Sequence, residues 1–269
     1  MRISLGQMDV KLGAPDANLA TARTLAAEAA RRESDLLVLP ELWSSGYDLS
    51  RAARHAAVLD EGIFAESAAL AREFGLFVLG SCLSALDGGY GNTAVLFAPN
   101  GRALADYSKI HLFGLMEEDQ YLTPGDRLVV VESAGGRFGL AICYDLRFPE
   151  LFRAYALAGA DLILLPAEWP HPRLAHWRVL LRARAIENQC FVVACNRVGT
   201  SGETTFCGHS AIVGPWGETV VEGGEEAELL TADIELSAVA RARRRLPLLP
   251  DRRPDIYGAD QVQLRSGTT

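Results

Sequence analysis

Short, unbroken apolar runs constrain this chain more than any other feature, above all Leu36-Leu37-Val38-Leu39 and Leu162-Ile163-Leu164-Leu165. Successive side chains of a strand point to opposite faces, so a run that is apolar at every position is hydrophobic on both sides. Such strands have to be covered on two faces. Strand-like segments are Arg2–Met8, Asp35–Leu39, Phe77–Ser81, Thr93–Phe97, Phe138–Cys143, Leu162–Leu165, Phe191–Asn196, His209–Val213 and Glu228–Asp233.

Helical patterns lie between them. Leu19, Ala22, Leu25, Ala26 and Ala29 recur at helical spacing, with Asn18 as the expected N-cap. A second helix is expected from about Ile63 to Phe74. A third starts at Pro149, a residue suited to the first helical position, and ends near Gly159, suited to the position after the last turn. A fourth spans about Arg173 to Asn188, with Leu174, Trp177, Leu181 and Ile186 toward a core. Strands alternating with helices make an α/β fold. With no linker, repeat or low-complexity segment, residues 1–269 are expected to form one domain.

Charge and cysteine usage exclude several classes. A formal net charge of −8 argues against nucleic acid as the main partner. The basic stretch Arg241 to Arg245 is expected to be a solvated surface segment. Five cysteines (Cys82, Cys143, Cys190, Cys195 and Cys207), odd in number and without CxxC spacing, form neither a disulfide framework nor a zinc finger. That usage suits a reducing compartment. The chain opens directly on the alternating Ile3, Leu5 and Gln7, so no secretory leader is expected. No window reaches the roughly 18 apolar residues of a membrane span. The expected location is the cytoplasm, with no membrane partner.

Three reactive residues fall where the expected strands end. Glu41 follows Leu36-Leu37-Val38-Leu39-Pro40, and Cys143 follows Phe138-Gly139-Leu140-Ala141-Ile142 ahead of the Pro149 helix. Lys109 lies in Tyr107-Ser108-Lys109-Ile110-His111-Leu112-Phe113. Ligands of α/β sheets gather beyond the carboxyl ends of strands. A cysteine between strand and helix also meets a helix N-terminus, where the dipole favours thiolate. Amide hydrolysis needs a nucleophile, a proton carrier and a cation or donor for the oxyanion. A thiol, a carboxylate and an ammonium can fill those roles.

The segments Leu39-Pro40-Glu41-Leu42, Lys109-Ile110-His111-Leu112-Phe113 and Cys143-Tyr144-Asp145-Leu146-Arg147-Phe148-Pro149-Glu150 resemble the three catalytic signatures of the nitrilase (carbon–nitrogen hydrolase) superfamily, in the family's order. The resemblance runs from Gln7 to Tyr257. It implies a four-layer α-β-β-α sandwich that pairs into a homodimer. It also implies Glu41 as general base, Cys143 as nucleophile forming a thioester, and Lys109 as oxyanion partner, with the Tyr144 backbone N–H as second donor. A second glutamate that orients the catalytic groups corresponds to Glu118, although Glu117 adjoins it. The segments from Trp169 to Trp177, Ala183 to Gln189 and Asn196 to Gly199 resemble the bacterial omega-amidase branch, which hydrolyses ω-amides of short dicarboxylic acids such as 2-oxoglutaramate. The implied partners are a small amide and water, with no cofactor.

Other readings of the same residues remain. Carbamoyl-amine hydrolases, amidases for deaminated glutathione and nitrilases could use the same three side chains, and a non-catalytic interaction domain could keep the scaffold. His111 could pair with Cys143 as a thiol–imidazole dyad. Arg147 and Glu150 are expected to form a structural ion pair at the helix start, with Asp145 doing similar local work. His171 and His176 have no further ligand at metal-binding spacing, so no metal is expected. Trp43 and Trp177 are expected in the core or a pocket wall, and Trp169 in the wall. Arg173, beyond a strand end, is the candidate for the carboxylate at the far end of the substrate.

Overall fold

The computed structural model describes residues 1–133 and 135–257. Fourteen strands are present among them. They are β1 (Arg2–Gln7), β2 (Leu36–Val38), β3 (Phe77–Leu86), β4 (Gly89–Phe97), β5 (Ala103–Ser108), β6 (Val130–Ser133) and β7 (Gly136–Leu140). Then follow β8 (Leu162–Ala167), β9 (Phe191–Asn196), β10 (Thr200–Ser201), β11 (Thr204–Thr205), β12 (Ala211–Val213), β13 (Thr219–Glu222) and β14 (Glu228–Asp233). The helices are α1 (Pro15–Arg31), α2 (Ala52–His55), α3 (Gly62–Phe74), α4 (Glu118–Tyr121), α5 (Pro149–Leu157), α6 (Leu174–Asn188) and α7 (Ser237–Arg245).

Two six-stranded sheets run in the orders β14-β1-β2-β3-β4-β5 and β13-β12-β9-β8-β7-β6. Each has three parallel strands at its centre, β1 to β3 and β7 to β9, and antiparallel strands outside them.

The doubled apolar runs explain the layering. Leu36 and Val38 face the inter-sheet core with Ile3, Leu5, Leu79, Phe138, Leu140 and Leu164. Leu37 and Leu39 face the other way, onto Ala22, Ala26 and Ala29 of α1 and Phe64 and Leu70 of α3. On the second sheet, Leu151, Phe152 and Tyr155 of α5 and Trp177, Leu181 and Ala185 of α6 close the opposite side. The result is the four-layer α-β-β-α sandwich. Truncating one of these fully buried leucines, such as Leu164→Ala, should cost about 2–5 kcal/mol.

Several expectations are corrected. β5, β6 and β13 were not anticipated, and all three are sheet edges with a half-solvated face, so they lack the doubled run. Asn18 is not an N-cap: α1 begins three residues earlier at Pro15. Its amide instead bonds Lys11 and Ser44, tying the helix to the loop after Glu41. Ile186 points outward, 46% exposed, while Arg184, Ala185 and Asn188 fill the buried side of α6. α7 presents Arg241, Arg244 and Arg245 to solvent, as expected. Among the described residues, no helix is long and apolar enough to cross a membrane.

Candidate active site

Glu41 sits just past β2, in a loop held tightly against β3. Leu42 adopts a left-handed backbone with φ 42°, a conformation that costs a non-glycine residue about 1–3 kcal/mol. Its N–H is fixed on Ser81 Oγ at 2.9 Å. Trp43 then lies over Gly80, where an added Cβ would come within 2.6 Å of the indole ring. The loop closes only because β3 has a glycine there.

Lys109 follows β5, and its N–H continues the ladder to Asn92 O at 2.8 Å. Its Nζ donates to Glu41 Oε1 at 2.7 Å and to Glu118 Oε1 at 2.8 Å. Glu118 opens α4, and its Oε2 accepts from the Phe113 N–H at 2.6 Å. Asn92 Nδ2 donates to Glu41 Oε1 at 2.7 Å, and the Glu168 N–H to Glu41 Oε2 at 2.9 Å. The Tyr47 hydroxyl lies 3.0 Å from Glu41 Oε1 and 2.9 Å from Glu118 Oε1, and can donate to one at a time.

Glu41, Lys109 and Glu118 are fully buried. Burial works against the Lys109 ammonium, but the charges of Glu41 and Glu118 outweigh it and hold the amine above its ordinary range. Burial also pushes the Glu118 carboxyl up, against the pull of Lys109 and with the repulsion of Glu41. Removing one member would leave a buried charge without its counterion, at a cost of about 3–5 kcal/mol.

Cys143 stands above this cluster. β7 ends at Leu140, and Cys143 opens a 3-10 turn, Cys143–Arg147, with φ 45°. α5 begins only at Pro149, so the cysteine lies at the mouth of this short turn and not at the helix N-terminus that the sequence suggests. Burial, then the Glu41 charge, pushes the thiol up, with Lys109 opposing, so these surroundings work against the thiolate that the sequence suggests. The first N–H groups of such a turn have no partner inside it, and the Tyr144 N–H is one of them.

Asp145 ties this turn to the lysine loop. Its Oδ2 accepts from Tyr107 Oη at 2.7 Å and the Ile142 N–H at 2.8 Å. Its Oδ1 faces the His111 N–H at 3.2 Å and Nδ1 at 2.7 Å. The His111 ring stacks on Phe148, with centroids 3.6 Å apart and planes 7° from parallel. The imidazole is therefore engaged by Asp145 and Phe148, and a Cys143–His111 dyad is not formed.

A cavity of about 240 Å³ opens over the thiol, lined by Phe113, Cys143, Tyr144, Arg147, Glu168, Trp169, Pro170 and Arg173. Trp169 forms one wall, its Nε1 donating to Arg173 O at 2.9 Å. Trp43 and Trp177 are core residues. The Arg147 guanidinium lies 4.7 Å over the Trp169 ring and that of Arg173 5.4 Å over Phe113. Neither arginine has a carboxylate partner among the described residues, and the expected Arg147–Glu150 pair is not made.

Glu41, Lys109 and Glu118 thus meet in one buried cluster, while Cys143, Tyr144, Trp169 and Arg173 line the cavity above. Glu117, the rival to Glu118, is exposed with φ 61°. Tyr47, Asn92, Glu168 and Arg197 complete the surroundings and were not anticipated. Glu168 lies at a strand terminus like Glu41, because β8 runs to Ala167, two residues beyond the expected end. Tyr47 and Asn92 carried no signal in the sequence. Among the described residues, no group of three or more His, Cys, Asp and Glu side chains is placed to hold a metal ion.

A thiol over a buried carboxylate and ammonium, at the strand ends of a four-layer sandwich, defines a hydrolase that transfers an acyl group away from nitrogen. Residues 2–244 match the carbon-nitrogen hydrolase family, and the chain belongs to it. It is a hydrolase of carbon–nitrogen bonds other than peptide bonds, an amidase by kinship. It is 40% identical to a 2-oxoglutaramate amidase of Bacillus subtilis (strain 168), over 95% of this chain and 98% of that one. Its structure is similar to a CN-hydrolase superfamily protein of Xanthomonas campestris that carries an arsenic adduct in the active site (TM-score 0.89, 34% identity, 96% and 99% of the two chains). It is also similar to the E41Q mutant of an amidase from Nesterenkonia sp. AN1, with the acetamide moiety of fluoroacetamide covalently added at the active-site cysteine (TM-score 0.85, 32% identity, 96% and 95%).

Proposed function

We propose that the chain is an omega-amidase, hydrolysing the terminal amide of a short dicarboxylic acid such as 2-oxoglutaramate through a thioester on Cys143. The observation that carries this reading is the cavity itself: a thiol at its base and two arginines without carboxylate partners in its wall. The names of the relatives and the covalent adduct on the cysteine of the Nesterenkonia amidase support it.

Glu41 takes the thiol proton as Cys143 Sγ adds to the amide carbonyl carbon. The resulting oxyanion is met by Lys109 Nζ and the Tyr144 N–H. Glu41 returns its proton to the amide nitrogen, the carbon–nitrogen bond breaks, and ammonia leaves. Water then adds to the thioester with Glu41 taking its proton, and collapse releases the acid and restores the thiol. Glu118 positions Lys109 from the side away from Glu41. Trp169 supplies a wall for the substrate chain, and Arg173, joined by Arg147, receives the far carboxylate. A buried charge with no such donor would be very costly.

Residues 1–269 act in this reading as one catalytic unit that works in the cytoplasm as a homodimer. Exposed Val179, Ile186 and Trp216 supply apolar surface for the pairing, which sedimentation would measure. The residues from 258 onward lie outside the described structure. The substrate reading is tested with ω-amides, N-carbamoyl amines and nitriles at equal concentration, with ammonia release as the readout. The ω-amides should give the highest kcat/KM, and a preference for either other class would replace the reading.

A further inference from the structure

Glu168 is the one charged wall residue of the cavity with no task in the mechanism above, and its placement is unusual. It follows β8, which lies beside the strand that leads to Cys143, and its side chain is 1% exposed. Its backbone N–H holds Glu41 Oε2 at 2.9 Å, so it is rigidly joined to the proposed base. Its carboxyl oxygens differ sharply. Oε2 accepts from Arg197 NH1 at 3.3 Å. Oε1 is buried and has no hydrogen-bond partner among the described residues.

An orphaned carboxylate oxygen deep in a protein is expensive, and native structures keep one only where something else satisfies it. Arg197 cannot turn to supply the missing donor. It is fully buried and pinned elsewhere, with Nε on Val198 O at 3.0 Å, NH2 on Val10 O at 2.6 Å, and its face 4.2 Å over the Phe206 ring. Burial pushes this carboxyl up to about 8, with the charge of Arg197 opposing and that of Glu41 adding to it.

We propose that Glu168 is a specificity-determining residue whose Oε1 accepts a hydrogen bond from the NH2 of the scissile amide. The proposal rests on the reading of Cys143 as nucleophile and adds the recognition of the nitrogen. A primary amide has two N–H groups, of which a carbonyl-directed oxyanion site engages neither. One of them on Glu168 would hold the nitrogen lone pair toward Glu41, the group that must protonate it before ammonia leaves. Esters and nitriles have no N–H and gain nothing from Oε1. The site therefore favours primary amides and carbamoyl groups over isosteric esters.

Glu168→Gln tests this with little change of size. The single carbonyl oxygen of glutamine would be taken by Arg197, leaving its NH2 where Oε1 now stands, so a donor would face the donor of the substrate. Assays should run on the alkaline side of the Glu168 value, where the wild-type carboxyl is ionised, with thermal unfolding to establish that the variant is folded. The substrates are a primary ω-amide and the p-nitrophenyl ester of the same acid. The expected result is a fall of about 10- to 100-fold in kcat/KM for the amide, the loss of one charged hydrogen bond, and a change of less than about threefold for the ester. Equal losses on both substrates would reduce Glu168 to a structural partner of Arg197, and an unchanged amide rate would remove it from the site; either result overturns the proposal. Glu168→Leu, which has no polar atom at that place, should show the same amide-selective loss and separates a missing acceptor from a misplaced donor. Failure of the Cys143 reading would appear differently, as amide turnover that survives Cys143→Ala.

Discussion

The floor and the rim of the cavity are built on opposite plans. On the floor, Lys109 Nζ, Glu41 and Glu118 are fully buried and joined by contacts of 2.7–2.8 Å. Tyr47, Asn92 and two backbone N–H groups take up their remaining positions. On the rim, Arg147 and Arg173 are only partly buried and rest on aromatic faces without a counterion. A preorganised floor has no reorganisation to undergo when charge develops on the substrate. An unpaired rim keeps its attraction for whatever anion arrives. On the proposed reading, the chemistry is fixed before binding, and the identity of the substrate is left to the rim.

That contrast can be broken by mutation, because floor variants should act on every substrate and rim variants only on charged ones. The largest effect is expected at the thiol above the floor, where Cys143→Ala should lower kcat by at least about 10³-fold on any amide. Lys109→Ala should follow, with a loss of about 10²–10³ in kcat, the usual range for one oxyanion donor. His111→Ala should lose much less, since its imidazole serves Asp145 and Phe148. If His111→Ala matched Cys143→Ala while Lys109→Ala stayed active, the floor would have been misread.

The rim comes next. Arg173→Ala should reduce kcat/KM for an ω-amide with a free carboxylate by about 10- to 150-fold, equivalent to roughly 1.5–3 kcal/mol. The loss should shrink for a neutral amide of similar length. Arg147→Ala should show the same pattern, and equal losses on both substrates would mean that the arginines merely support the wall. The smallest effect is expected at Tyr47→Phe. Lys109 and Asn92 would still hold the Glu41 carboxylate, so a stability loss of about 0.5–1.5 kcal/mol and a kcat within tenfold of the parent are expected, measured by denaturant unfolding and initial rates.

The sequence disclosed the floor better than the rim for a physical reason. Glu41 and Cys143 each end a segment whose apolar pattern announces a strand, and ends of strands are where sites assemble; Lys109, after the unannounced β5, was legible through the family signature that holds it. Glu168 escaped because Pro166 and Ala167 close β8 without the β-branched or leucine signal of the residues before them. Edge strands β5, β6 and β13 escaped for a related cause, as a half-solvated strand shares its composition with a loop. Arg147 was legible as a charge near a helix start, but a charge pattern along the chain favours Glu150 as partner, and only the fold sets the guanidinium over Trp169. Ile186 fits the helical stripe by spacing, yet the buried side of α6 is turned to Arg184, Ala185 and Asn188. Local pattern locates elements and their ends; which way an end turns is decided by what packs against it.

The central claim is a covalent intermediate on Cys143, which is buried like the other four cysteines but lines the cavity described above. Rapid acid quench of the enzyme turning over an ω-amide, followed by peptide mass spectrometry, measures it directly. The account predicts an acyl adduct, of the mass of the substrate less ammonia, on the peptide carrying Cys143 and on no other. An adduct on Cys190 or Cys207, or full turnover with Cys143 unmodified and replaceable by alanine, would contradict it.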